Sequence, residues 1–192
     1  MFDIIVFTGH QMSTTEIQPL YLWKTTGKFG FEMFQCTFQL IRRSFPGIIS
    51  NVTPPGGGTT DYAVDIYYSA VKGEKFVCPI KQGTLMDMMY MPDALNAAIT
   101  LMEADPTKLI HRNAFNIASM SFDPETIYQA IRKHVPQFEM IYDIDPLKQR
   151  IADSWPDSLD DTCAREEWGW KPAYDLESMT VDMLEKLREK LK

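Results

Sequence analysis

The stretch Pro54-Pro-Gly-Gly-Gly-Thr-Thr-Asp-Tyr-Ala63 restricts this chain more than any other. Two prolines end any regular element before it. Three consecutive glycines carry no Cβ atoms, so the backbone can approach a ligand closely. Helical periodicity starts directly afterwards: Ala63, Ile66, Tyr67, Ala70 and Val71 share a face, and Gly73 stops the helix. Thr59, Thr60 and Asp61 therefore stand where a helix begins. They read in two ways. As caps, they satisfy the helix's own first N–H groups. As a ligand loop, they present hydroxyls and a carboxylate beside free N–H groups that favour an anionic ligand. Ahead of this loop, Ser44-Phe-Pro-Gly-Ile-Ile-Ser50 reads as the end of a buried strand turned by Pro46-Gly47.

The remaining pattern alternates helices with short strands, which indicates an α/β fold. Residues 3–7 read as a β-branched strand, followed by Thr8-Gly9 but not by the GxGxxG turn of a dinucleotide fingerprint. Residues 13–44 fit no single period. Strands are expected at Phe76–Ile80, Ala114–Ala118 and Gln137–Tyr142. Pro92 starts a helix with Leu95, Ala98, Ile99 and Met102 facing inward. Asp123-Pro-Glu starts another, carrying Ile127, Ala130, Ile131 and His134 on one face. Asp161 is placed to cap a short helix ending at Trp168-Gly169. Asp175 is placed to cap the last helix, with Met179, Met183, Leu184, Leu187 and Leu191 as its stripe.

Composition narrows the function classes. The 192 residues suffice for one domain with a substantial core. A formal net charge of −7 gives no basic face for nucleic acid. Cys36, Cys78 and Cys163 are widely spaced and form no CxxC pair, which suggests reduced thiols and a cytoplasmic location. The N-terminal apolar run is too short for a membrane span. His10, His111 and His134 lie far apart in sequence, so no metal site is expected.

Local chemistry offers one acid/base candidate. Tyr21 and Lys24 could share a helix face, and a nearby ammonium lowers a phenol's pKa. Their i,i+3 spacing equally suits an ordinary surface pair.

Several segments together resemble the C-terminal part of L-threonine 3-dehydrogenase of the short-chain dehydrogenase type, in its extended, epimerase-like branch. They are Phe45-Pro-Gly-Ile-Ile-Ser50, Pro55-Gly-Gly-Gly-Thr-Thr-Asp-Tyr-Ala63, Met88-Met-Tyr-Met-Pro-Asp93, Phe115-Asn-Ile-Ala-Ser-Met-Ser-Phe122, Ile151-Ala-Asp-Ser-Trp-Pro156, Leu159-Asp-Asp161 with Ala164-Arg165, and Trp168-Gly-Trp170. The resemblance implies an NAD-binding, Rossmann-like α/β fold without its N-terminal GxGxxG unit. It divides the chain into residues 1–44, a divergent remnant of the catalytic Tyr/Lys region, and residues 45–192, the substrate-binding part. It implies NAD-dependent oxidation of L-threonine to 2-amino-3-ketobutyrate. Phe45, Pro46 and Ile48 would border the nicotinamide, Thr59 and Thr60 would hold the substrate's amino-acid end, and Trp155 would wall the pocket. Tyr21 and Lys24 would stand for the catalytic pair.

The departures from that pattern matter equally. The family motif is Tyr-x-x-x-Lys, and the position four after Tyr21 is Thr25. The chain alone is therefore expected to bind NAD weakly and to be weak or inactive. Association with itself or with a complementary chain is expected, because a missing sheet would leave apolar surface exposed. A non-catalytic folded remnant that binds a partner is the alternative. A nucleotide-sugar epimerase or reductase fits the Gly-Gly-Gly-Thr-Thr and Ser-Trp-Pro segments less well.

Overall fold

The computed structural model describes residues 22–25, 31–34, 42–44, 46–111 and 114–192, with backbone alone at 22–25, 31–34, 42–44 and 114. The chain divides into two units, Met1–Ile41 and Arg42–Lys192. In the first, β1 (Leu22–Thr25) and β2 (Phe31–Phe34) form an antiparallel pair.

The second unit begins with β3 (Arg42–Ser44) and β4 (Gly47–Ile49). Helix α1 (Tyr62–Lys72) follows the glycine loop, and strands β5 (Phe76–Cys78) and β6 (Met86–Tyr90) come next. Helix α2 (Met91–Glu103), strands β7 (Ala114–Asn116) and β8 (Met120–Phe122), and helix α3 (Pro124–His134) continue the chain. Strand β9 (Met140–Tyr142) precedes three helices: α4 (Pro146–Ala152), α5 (Thr162–Trp168) and α6 (Leu176–Lys190). Strand β6 is central, parallel to β4 and antiparallel to β8. The pairs β3–β7 and β5–β9 are parallel. Pro46-Gly47 therefore marks a change of partner more than a turn: β3 pairs with β7, and β4, two residues later, pairs with β6.

The core lies where α1, α3 and α6 pack on one another and on the strands. Ile49, Ile66, Tyr67, Met86, Met88, Ile127, Met179, Met183 and Leu187 are wholly buried in it. Burying side chains of this size contributes roughly 1.5–3 kcal/mol each against the entropy of ordering the chain. Helix signals read from sequence appear where expected. Gly73 ends α1 at φ 72°, a left-handed conformation that glycine adopts without a Cβ clash. Asp123 caps α3 by accepting from Thr126 N at 2.9 Å. Asp175 caps α6 through a reciprocal box with Ser178.

Helix α2 faces the other way from the sequence expectation. Ala94, Ala97 and Leu101 are buried against the β4–β6 side, while Leu95, Ile99 and Met102 are exposed. Both sets have helical spacing. Ala94 and Ala97 allow the helix to approach the sheet closely, so Leu95, Ile99 and Met102 turn outward and Ala98 is half-buried. Strand β6, buried at every residue, was not read from periodicity, because an unbroken buried run has no alternation. Strand β8 and helix α4 were also missed, and the strand expected over 137–142 is confined to β9.

Helices α3 and α6 are joined at their ends by Glu177, which accepts from Lys133 Nζ at 2.6 Å and contacts His134 Nε2 at 2.8 Å. Lys133 and then His134 hold the Glu177 carboxyl below its ordinary range. A depressed folded-state pKa gives stability that is present above the ordinary glutamate value of about 4.3 and is lost as pH falls through the folded value. Glu177→Gln is therefore expected to lower the urea midpoint at pH 7 and to leave it nearly unchanged at pH 3. An equal loss at both pH values would contradict this pairing.

Candidate functional site

The glycine loop is organised by Asp61. Its Oδ2 accepts from Gly56 N at 2.7 Å and from Gly58 N at 2.8 Å. Asp61 stands at the cap position of α1, but its side chain makes no capping bond to the helix. The helix start is closed instead by backbone: Ala63 N donates to Thr60 O at 3.1 Å and Val64 N to Asp61 O at 2.9 Å. Gly57 sits at φ 91°, where an L side chain is strained. The Gly56 and Gly58 amides are thus held by Asp61. Asp65 follows one turn later; burial, then repulsion from Asp61, raises its carboxyl above the ordinary range. Lys148 and Lys72 partly offset that shift.

Asp61→Ala is expected to change global stability by about 1 kcal/mol or less, because the freed N–H groups are near water. The amides of Gly56 and Gly58 should exchange faster with solvent in the variant. Unchanged exchange rates would contradict the tie.

Strand β4 and the loop meet at Gly47. A Cβ built on Gly47 would lie 2.5 Å from Met88 Sδ and 2.9 Å from Thr60 Cγ2. The absence of a side chain lets Thr60 pack its methyl directly on the strand. Pro46 and Gly47 are buried, whereas Ile48 is half-buried. The fold therefore brings the Pro46-Gly47-Ile48 backbone and Thr60 together, with Thr59 half-buried beside Thr60. These residues are nearly adjacent in sequence, but only the loop between them, folded back by Asp61, makes them neighbours.

The approach to the loop is clamped from α6. Ser50 Oγ accepts from Val52 N at 3.1 Å and forms a tight turn. Asn51 Nδ2 donates to Tyr90 Oη at 2.7 Å, and Tyr90 Oη donates to Asp182 Oδ2 at 2.6 Å. Lys186 Nζ reaches the same carboxylate oxygen at 2.7 Å. Lys190 Nζ donates to Asn51 O at 3.1 Å and to Val52 O at 2.8 Å. Burial, then the bond to Asp182, pushes the Tyr90 phenol far above its ordinary value, so it remains a neutral donor. Sequence reading missed Asn51, Tyr90, Asp182 and Lys190. Their partners lie far away along the chain, and no local pattern marks them.

The other expected residues are distributed as follows. Tyr21 and Phe45 lie outside the described residues. Lys24 stands in strand β1, not on a helix. Trp155 is half-buried in the turn after α4, where its backbone N–H donates to Ala152 O at 3.0 Å. Asp161 holds Arg165 Nε at 2.7 Å instead of capping α5, and Asp160 accepts from Thr162 N at 3.0 Å. A groove of about 680 Å³ lies elsewhere, between α3 and the start of α6. Its carboxylates Asp123, Asp175 and Glu177 are engaged in the two helix caps and the ion pairs described above, and Glu125 accepts from Gln129 Nε2 at 2.7 Å and Tyr142 Oη at 3.1 Å, so it reads as a structural seam.

No protein-family model matches the chain. An uncharacterized epimerase/dehydratase of Staphylococcus saprophyticus is 52% identical over 165 residues, which is 86% of this chain and 51% of that protein. The L-threonine dehydrogenase of Clostridium difficile superposes with a TM-score of 0.77 at 60% identity, covering 79% of this chain and 47% of that one. The L-threonine dehydrogenase of Cupriavidus necator superposes with a TM-score of 0.72 at 54% identity, covering 77% and 52%. The chain spans about half the length of the curated relatives it matches. With the epimerase-like α/β architecture and the glycine–threonine loop in place, the chain resembles the C-terminal part of the L-threonine 3-dehydrogenases of the extended short-chain type.

Proposed function

We propose that residues 45–192 form the substrate-binding part of an NAD-dependent L-threonine 3-dehydrogenase, with residues 1–44 as a divergent remnant of its Tyr/Lys region. The observation that carries this reading is the junction of Gly47 and Thr60. It sets the backbone proposed to border the nicotinamide against the loop proposed to hold the amino acid. Thr59 and Thr60 offer hydroxyls to the zwitterionic end of threonine, which needs hydrogen bonds when it leaves water. Asp61 and Asp65 are the carboxylates nearest these hydroxyls along the chain and are the candidates to meet the ammonium group. The clamp through Asn51, Tyr90 and Lys190 fixes the loop's entry, so the hydroxyls are ordered before substrate arrives.

The residues fit one end of the cofactor only. The half-buried Ile48, next to the buried Pro46, is the candidate apolar contact for the nicotinamide ring, with Phe45 proposed beside them, while the sequence has no glycine fingerprint for the pyrophosphate. NAD bound there would supply the hydride acceptor for oxidation at carbon 3 of threonine. Tyr21, with Lys24 beside it, is the candidate to take the hydroxyl proton. Trp155 is the candidate pocket wall. The outward stripe Leu95, Ile99 and Met102 on α2 supports association with a complementary nucleotide-binding chain or with a second copy.

The chain alone is expected to bind NAD no better than weakly. Calorimetric titration giving submicromolar affinity would refute this. Threonine-dependent NADH formation is expected when the chain is co-purified with a nucleotide-binding half taken from a relative. Its absence from a well-folded complex would favour the alternative, a non-catalytic partner-binding remnant.

A further inference from the structure

We propose that His111, Cys163 and Glu167 form a binding site for a transition-metal cation of the zinc class. Cys163 and Glu167 stand one turn apart on α5 and so share a face. The segment leading into β7 brings His111 to them, and one ligand atom from each residue lies within 4.8 Å of the others. The three residues are scattered along the chain, which is why spacing alone argued against a metal site.

The support around the three donors resembles what metal ligands need. Glu167 Oε2 accepts from Ile110 N at 2.6 Å and from His111 N at 2.9 Å, which fixes the carboxylate plane. Its other oxygen, Oε1, contacts His111 Nδ1. The Glu167 side chain is 6% exposed while that of His111 is 53% exposed, so a fixed carboxylate sits beneath an imidazole open to solvent. Beneath them, Phe115 packs edge-on to His111, with ring centroids 6.4 Å apart, and edge-on to Trp168 at 6.0 Å. An apolar floor of this kind limits solvent access to the donors from below.

The donor set selects the cation. One nitrogen, one sulfur and one carboxylate oxygen suit Zn2+, and three protein ligands leave a fourth position for water. A thiolate disfavours Mg2+ and Ca2+, which take oxygen donors. Cys163 binds as the thiolate, so its thiol proton goes to solvent, while His111 binds as the neutral imidazole and keeps its N–H on the other ring nitrogen. The site is independent of the threonine loop.

The test uses the full chain, stripped of metal and titrated with Co2+. A thiolate-to-cobalt charge-transfer band is expected, saturating at one equivalent and discharged by Zn2+. Cys163→Ser should lose the band; Cys163 is exposed, so this variant should fold. Zn2+ should also protect Cys163 from alkylation in the parent protein and not in His111→Ala. A missing band, a band that survives in Cys163→Ser, or alkylation unaffected by Zn2+ would overturn the proposal.

Discussion

Gly47→Ala is expected to destabilise the folded protein by about 2 kcal/mol, within the range for overpacking a filled core. The new methyl would sit 2.5 Å from Met88 Sδ and 2.9 Å from Thr60 Cγ2, well inside van der Waals contact. Met88 is wholly buried and paired in register opposite Gly47, so it cannot swing into solvent. Thr60 is the softer neighbour, because it belongs to a loop. The strain should therefore appear partly as lost stability and partly as a displaced Thr60. Chemical denaturation measures the first, and a shift in the Thr60 amide resonance measures the second. A further arm isolates the contact. Met88→Ala alone should cost about 2–5 kcal/mol through its cavity. The double variant should then be less destabilised than the sum of the two, by about 1 kcal/mol or more. Strict additivity would mean that Gly47 and Met88 do not press on one another.

Asp93→Ala is expected to cost about 3 kcal/mol. Asp93 is 1% exposed. Its Oδ1 accepts from Ala173 N at 2.9 Å and its Oδ2 from Tyr174 N at 3.1 Å. Removing the carboxylate leaves two donors without acceptors, each costing about 1–3 kcal/mol where water cannot replace the oxygen. Asp93→Asn keeps one acceptor and turns an NH2 group toward the other donor, so it should recover only part of the loss. The effect also reaches the site. The segment held by Asp93 leads into α6, and α6 carries Asp182 and Lys190, which clamp Asn51 and Val52. Faster amide exchange across residues 50–53 should therefore accompany the loss in Asp93→Ala. Denaturation midpoints close to the parent protein would contradict this linkage.

What could be read in advance follows the range of each signal. The ends of α1, α3 and α6 were legible because glycine at a helix end, Asp-Pro at a start, and an aspartate at the cap position ahead of an apolar stripe act within one turn. The Gly47–Thr60 contact was half legible. Both stretches stood out, but their meeting depends on Asp61 folding the loop back, and Asp61 read equally well as an ordinary cap. The orientation of α2 was illegible, because Ala94, Ala97 and Leu101 form as regular a stripe as Leu95, Ile99 and Met102. Only the close approach of the β4–β6 sheet chooses the smaller set. Tyr90, Asp182 and Lys190 carry no local mark, since each acts on a partner from another part of the chain. The same distance separates His111 from Cys163 and Glu167.

Binding of L-threonine at the loop is tested most directly by titrating the isotopically labelled chain with it, with and without NAD, and following backbone amide resonances. Saturable shifts are predicted at Gly58, Thr59 and Thr60, and they should vanish in the Thr59→Ala, Thr60→Ala double variant. Resonances that stay fixed in the folded parent protein under both conditions would contradict a substrate site at this loop.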